Sequence, residues 1–346
     1  MPHCTSERKN LVILHPNWRI KRHLYDMNKA ISSILRFARD WTLPISMISG
    51  ALAYFAWVNI PGHEVYNNFV NQSIAWIQPI FIFAMLFVSF CKVKITDFTL
   101  KWWHLWLLIF QVGIFTLLAI AATLITNYDA EVVVQSAMLC MICPTATAAA
   151  VVTSRLGGNQ ATLVSYTIMI NLAAAIAVPV VVPIVHTEAH MQFWPALWAI
   201  LVKVFPLLIC PLFFANLVRN FLPRLHALIL RAKDLAFYLW AFSLALAIGV
   251  SAKSLMHTTV SIWCQVGIAV ASLLACLAQF GFGKYVGTKE GERISAGQAC
   301  GQKNTVFAIW LGYTFMDPVT ALAGGFYSIW HNVINSYQLY KKRKKG

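Results

Sequence analysis

Residues 300–305 read Cys300-Gly301-Gln302-Lys303-Asn304-Thr305, and they sit in the middle of a stretch, 293–315, otherwise long and apolar enough to cross a bilayer. Gly, Gln, Lys and Asn in succession make a poor membrane helix. A second interruption, Met141-Ile142-Cys143-Pro144-Thr145-Ala146-Thr147, lies inside the stretch 132–153. Pro144 removes one helical N–H and clashes with the preceding turn. Unwound backbone at membrane depth is tolerated only where it is buried in protein or lines a cavity. Two broken helices are therefore expected. The half-helix restarting after each break would aim its N–H groups at that cavity, a ready anion site.

The rest of the chain supports a membrane reading. Its 346 residues are 59% hydrophobic and only 11% charged, against roughly 25% charged in a soluble domain. So few charges cannot build a solvent-facing surface, which excludes soluble enzymes and nucleic-acid binders despite a net charge of +15. Eight cysteines are too few for a disulfide scaffold. The basic opening residues do not read as a cleavable leader. A spanning helix needs about 20 apolar residues, and ten stretches qualify: 42–60, 72–91, 102–125, 132–153, 161–185, 195–218, 235–252, 259–282, 293–315 and 319–339. Their length excludes barrel strands. The expected fold class is an all-α polytopic membrane protein.

Basic residues orient these ten spans. Twenty-four Lys and Arg fall in loops and tails on one side, and only Lys253 falls in a loop on the other. Cytoplasmic loops carry this excess, so both termini are expected in the cytoplasm, with a bacterial inner membrane as the location. Residues 18–41 alternate apolar and basic faces, which suggests an amphipathic helix at the inner interface.

Two segments match across half the chain. Tyr166-Thr167-Ile168-Met169-Ile170-Asn171 in span 5 aligns with Tyr327-Ser328-Ile329-Trp330-His331-Asn332 in span 10, a separation of 161 residues. Ser136-Ala137 and Ser295-Ala296 align at nearly the same offset. Five spans per half make the repeats inverted in the membrane, and such transporters place their sites at the midplane between repeats.

These residues carry a resemblance. Cys143-Pro144, Thr147, Gly158-Asn159 and the prolines Pro179 and Pro183 resemble the first half-motif of the bile acid:sodium symporter family, and Gly301–Thr305 with Tyr327–Asn332 is similar to the second. The resemblance covers roughly residues 45–340. It implies ten helices in two inverted five-helix repeats, with discontinuous helices 4 and 9 crossing. It also implies a panel domain (42–91 and 195–255) and a core domain (102–186 and 259–339), beside an arm (1–41) and a basic tail (340–346). A small organic anion, such as a bile acid, pantoate or another carboxylate, would move between panel and core, usually with two sodium ions.

The ion ligands are where this chain departs from the pattern. All twelve acidic residues lie in loops or at span ends. By the resemblance, the usual acidic residue of span 9 falls on Ala299, the Ser-Asn pair of span 4 on Ala149-Ala150, and a glutamine of span 9 on Lys303. Gln111 and Thr167 keep oxygen-bearing groups at matching positions. With Gln302, these residues mark the ion-site equivalents, and sodium coupling is doubtful.

Lys303 lies about eleven residues from one end of its span and about thirteen from the other. A charge at such a depth costs roughly 3 kcal/mol or considerably more and marks function by default. Its ammonium could fill the volume of a sodium ion, bound by Gln111 and backbone carbonyls, or it could give up a proton in each cycle. A charge that only braces two helices is the bland alternative.

Thr145, Thr147, Asn304 and Thr305 surround the restarting half-helices and should face substrate. Asn171, His331 and Asn332 are polar groups in otherwise apolar spans, as fit for packing as for ligand contact. Lys203 reads as a snorkelling lysine, His186 and His190 as lone interface histidines, and Cys140 and Cys143 as packing residues without a zinc partner set. The expected function is a secondary transporter of a small organic anion, not an enzyme, needing no cofactor or metal. Its partners would be the anion and the lipid bilayer, without nucleic acid, and a monomer is the expected unit. The alternatives are a conventional sodium-coupled symporter and a transport-inactive sensor or scaffold of the same fold.

Overall fold

A backbone in lipid has to satisfy its own hydrogen bonds, and the long apolar stretches accordingly become helices. The computed structural model describes residues 42–92, 98–185, 192–232 and 235–345. The expected amphipathic helix over 18–41, and His186 and His190, lie outside them. Ser46–Gly346 form one compact unit, and the unit before it, Met1–Ile45, enters the described residues only with the start of α1.

Among the described residues the regular elements are helical. They are α1 (Thr42–Val58), α2 (Asn67–Cys91), α3 (Trp102–Thr123), α4 (Tyr128–Ile142), α5 (Ala149–Leu156), α6 (Gln160–Val185), α7 (Phe193–Phe221), α8 (Pro223–Arg231), α9 (Leu235–Met256), α10 (Ile262–Thr288), α11 (Arg293–Gly301), α12 (Thr305–Phe315) and α13 (Ala321–Lys345). Six of them hold a stretch long and apolar enough to cross a membrane by length and composition: α2, α3, α6, α7, α9 and α10. The chain is thus a multi-pass, membrane-embedded helical protein. Phe69, Trp76, Trp263 and Leu274 point outward, as side chains facing lipid do.

The remaining expected spans are helical as well, but each falls short for its own reason. α1 has 17 residues. α13 has 25, of which the last turns are polar and basic. Expected spans 4 and 9 are each divided, into α4 with α5 and α11 with α12. Helix ends run up to six residues past the expected ones, at Thr288 and Lys345.

One helix appears where the sequence reads as a loop. α8 opens on Pro223, buries none of its residues, and sets Leu225 and Leu228 against Arg224 and Arg231. Proline suits a first helical turn, and the pattern is that of an interfacial helix. Its His226 Nε2 lies 2.8 Å from the Cys91 carbonyl, which also accepts from Arg219 Nη2 at 2.9 Å. Together they hold the open end of α2.

Close helix contacts depend on missing side chains. A Cβ added at Gly283 of α10 would lie 2.4 Å from the Ala296 carbonyl oxygen of α11, and one at Gly287 would lie 2.7 Å from that of Glu292. At Gly50 of α1 the Ala245 carbonyl of α9 would be 2.1 Å away. Small residues one turn apart let membrane helices approach to backbone contact. α10 lies along α11, α4 and α13, while α3 packs on α4 and α6, and α2 on α7 and α9.

Candidate functional site

The two breaks meet. Thr145 and Lys303 form an isolated antiparallel bridge. The Ala146 N–H donates to the Gln302 carbonyl and the Asn304 N–H to the Pro144 carbonyl, both at 2.8 Å. A helix interrupted by proline leaves donors and acceptors that water cannot satisfy in a bilayer. Here each interruption satisfies the other. Asn304 then caps α12, its Oδ1 accepting from the Phe307 N–H at 3.3 Å. α5 starts at Ala149 with no side-chain cap.

Carbonyls that close α4 and α11 converge on this crossing, and several of them meet a side-chain donor. Thr145 Oγ1 donates to the Ala299 carbonyl at 2.7 Å. Tyr327 OH donates to the Gly301 carbonyl at 2.9 Å, and Gln279 Nε2 to the Cys140 carbonyl at 3.2 Å and to Tyr327 OH at 3.0 Å. Gln111 Nε2 donates to Gln279 Oε1 at 2.8 Å and reaches the Cys300 carbonyl at 3.5 Å, while Tyr166 OH donates to Gln111 Oε1. Lys303 is 1% exposed, and its Nζ lies 3.5 Å from the Met141 carbonyl. Helix C-termini carry about half a negative charge each. An ammonium therefore stands where two of them approach.

Several expected site residues come together here: Thr145, Gln302, Lys303, Asn304, Thr305 and Ala299. Gln111 joins through Gln279 and Cys300, not as a direct partner of Lys303, because its amide is shared between those acceptors. Ala149 and Ala299 sit in an apolar cluster with Trp103, Leu107 and Ile170, and half-buried Ala150 packs against it. Methyl groups fill the positions where the resemblance would place ion ligands.

The other expected residues make more local contacts. Asn171 Nδ2 and Asn332 Nδ2 each donate 2.6 Å to the carbonyl four residues back. Thr167 does likewise to Leu163 at 3.0 Å, and Ser328 Oγ donates to Thr305 Oγ1 at 2.5 Å. Thr147 is half-buried. His331 is buried edge-on to Tyr327, with ring centroids 5.7 Å apart. Among the described residues, Asn171 Oδ1, Gln302 Oε1, Asn304 Nδ2 and His331 Nδ1 are buried without a partner. Lys203 is exposed, with Nζ 5.4 Å from the Phe315 ring centroid, a cation–π contact rather than a simple reach for the interface. Cys140 and Cys143 are free thiols donating to the Ala323 and Leu139 carbonyls.

Sequence reasoning passed over Gln279 and the two tyrosine hydroxyls. The signals were present: a glutamine in an apolar span, and tyrosines opening both copies of the repeated motif. Gln279→Leu keeps the volume and removes the donor to Cys140. A buried acceptor left open costs about 1–3 kcal/mol, so the melting temperature in detergent should fall by several degrees. No protein-family model matches the chain, and neither does any curated protein.

Proposed function

We propose that this protein is a secondary transporter of a small organic anion, with ten spans in two inverted repeats of five and Lys303 standing in for a coupling sodium ion. The observation that carries this reading is the one buried ammonium among the described residues, beside the Met141 carbonyl that closes α4, with methyl groups at the neighbouring ligand positions. Sodium in a relative would be attracted by such carbonyl dipoles. A tethered cation supplies the same charge permanently, so the crossing reaches its substrate-competent geometry without an ion.

The repeat reading draws support from paired roles. Tyr166 and Tyr327 occupy equivalent positions, both are fully buried, and both donate into the network around the crossing. Asn171 and Asn332 make the same backbone contact at the same distance. Unpartnered polar atoms on Gln302 and Asn304 suit an anionic or hydroxylated ligand near the restarting helices. The panel would comprise α1, α2, α7 and α9, and the core the remaining spans, in a cytoplasmic or inner membrane.

Reconstituted vesicles loaded with potassium test this directly, using taurocholate and pantoate as probe anions. Uptake is expected to be the same whether the outer buffer holds sodium or choline. Uptake that requires sodium overturns the lysine's assigned role. Accumulation driven by an imposed pH gradient and lost in Lys303→Met would instead make the lysine a proton carrier. Ligand-induced stabilisation without uptake of either probe would point to a sensor.

A further inference from the structure

A cavity of about 410 Å³ opens between the ends of α10, α11 and α13. Lys284, Arg293 and Lys341 line it together with Gln338, Tyr337 and Val333. Three cations at one mouth repel one another. Among the described residues none of them pairs with a carboxylate, and what holds them in place is neutral. Arg293 Nη1 donates to Thr288 Oγ1 at 3.1 Å, and Lys284 Nζ lies 5.7 Å from the Phe280 ring centroid. The Lys284 stem is laid across α11 because Gly297 has no side chain there: an added Cβ would lie 2.7 Å from Lys284 Cγ. Gln338 Nε2 is a buried donor without a partner among the described residues.

The other side of the cavity is apolar and faces outward. Val333, Tyr337 and nearby Tyr285 are exposed large side chains on membrane-embedded helices. The site thus offers three cations and a free amide at a helix end, continuous with exposed apolar side chains. Basic pockets between transmembrane helices on the positively charged side recognise acidic lipid head groups.

We infer that this groove binds an anionic phospholipid, its phosphate held by Lys284, Arg293 and Lys341 and its upper acyl chains lying on Val333 and Tyr337. Phosphate chemistry alone would also suit a free inorganic anion. The apolar half of the groove and its outward face select the lipid. This site is independent of the transport reading and would persist in a sensor of the same fold.

The test compares the full chain in nanodiscs of phosphatidylcholine alone with discs containing phosphatidylglycerol or cardiolipin, and with phosphatidylcholine discs given inorganic phosphate. Anionic lipid is expected to raise the melting temperature, and lipid should remain bound in native mass spectrometry. Each basic residue near an anionic head group contributes about 1 kcal/mol, or about fivefold in affinity. Neutralising one, as in Lys341→Gln, should weaken retention about fivefold, and neutralising all three about a hundredfold. Arg224→Gln on α8, a basic residue outside the groove, should leave retention unchanged. Val333→Asn, which keeps the cations and spoils the apolar wall, should also weaken retention of the lipid. Equal retention by the triple variant, or equal loss with Arg224→Gln, overturns the site. Stabilisation by inorganic phosphate alone overturns the lipid as occupant.

Discussion

Lys303→Ala is expected to melt well below the wild type in potassium and to recover part of the loss in sodium. The lysine stem is fully enclosed, so truncation opens a cavity and also removes the donor facing the Met141 carbonyl. Together these effects should cost about 2–4 kcal/mol. The space vacated lies against the Met141 carbonyl oxygen of α4, a ligand type that a hard cation accepts. Binding to the folded state then restores stability by mass action. In the wild type, sodium should have no effect. Lys303→Met separates charge from volume, because it fills the space without the ammonium. If sodium leaves Lys303→Ala as unstable as potassium does, no ion takes the ammonium's place, and its role as a surrogate ion fails. If sodium stabilises the wild type at millimolar concentrations, an ion site exists despite the alanines at 149, 150 and 299.

Gly283→Val is expected to be among the most damaging single changes outside the crossing. Its new side chain would meet the Ala296 carbonyl oxygen at 2.4 Å and Cys300 Cβ at 2.9 Å. Neither neighbour can swing aside, since one is helical backbone and the other is anchored on it. Overpacking costs typically 1–3 kcal/mol where side chains can adjust, and backbone contact leaves less room to adjust. The loss should be about 3 kcal/mol or more, and α11 would be pushed away from α10. Cys300 sits one residue from Gly301 and shares the Gln111 amide, so the crossing is disturbed as well. Gly281→Ala in the same helix is the control. Nothing lies within 4 Å of its added Cβ, and replacing an unconstrained helical glycine gains roughly 0.5–1 kcal/mol. If both variants behave alike, glycine content and not helix approach is what α10 needs.

Much of this architecture was legible in the order of residues. Runs such as 161–185 and 259–282 are apolar over a bilayer's thickness, and in lipid that leaves the backbone little choice but a helix. Pro144 and the Gly301–Asn304 run marked both breaks, because proline lacks a donor and consecutive polar residues cannot lie in hydrocarbon. Span ends were less legible. Basic turns such as Lys341–Lys345 continue a helix into the interface, where hydropathy no longer reports on structure. α8 was hidden for the same reason, since nine residues with alternating faces give no bilayer-length signal.

The partners at the crossing belong to another level. Lys303 was recognisable as a costly buried charge, but whether it would meet Gln111 or a carbonyl depends on how α3 and α10 are seated against α11. The close approach at Gly283 seats α10, which brings Gln279 between Gln111 and Tyr327 and turns Gln111 away from the lysine. The cationic groove is equally non-local, drawing its lining from three helix ends separated by loops. Composition and spacing by themselves determined that this chain is a helical membrane protein, where its helices break, and that a lone cation lies at the second break. The tertiary structure decided which carbonyl that cation faces, which polar groups stay unpaired and where the remaining cations gather. Helix formation in lipid is enforced locally by backbone hydrogen bonding, whereas helix approach depends on which small residues happen to face one another.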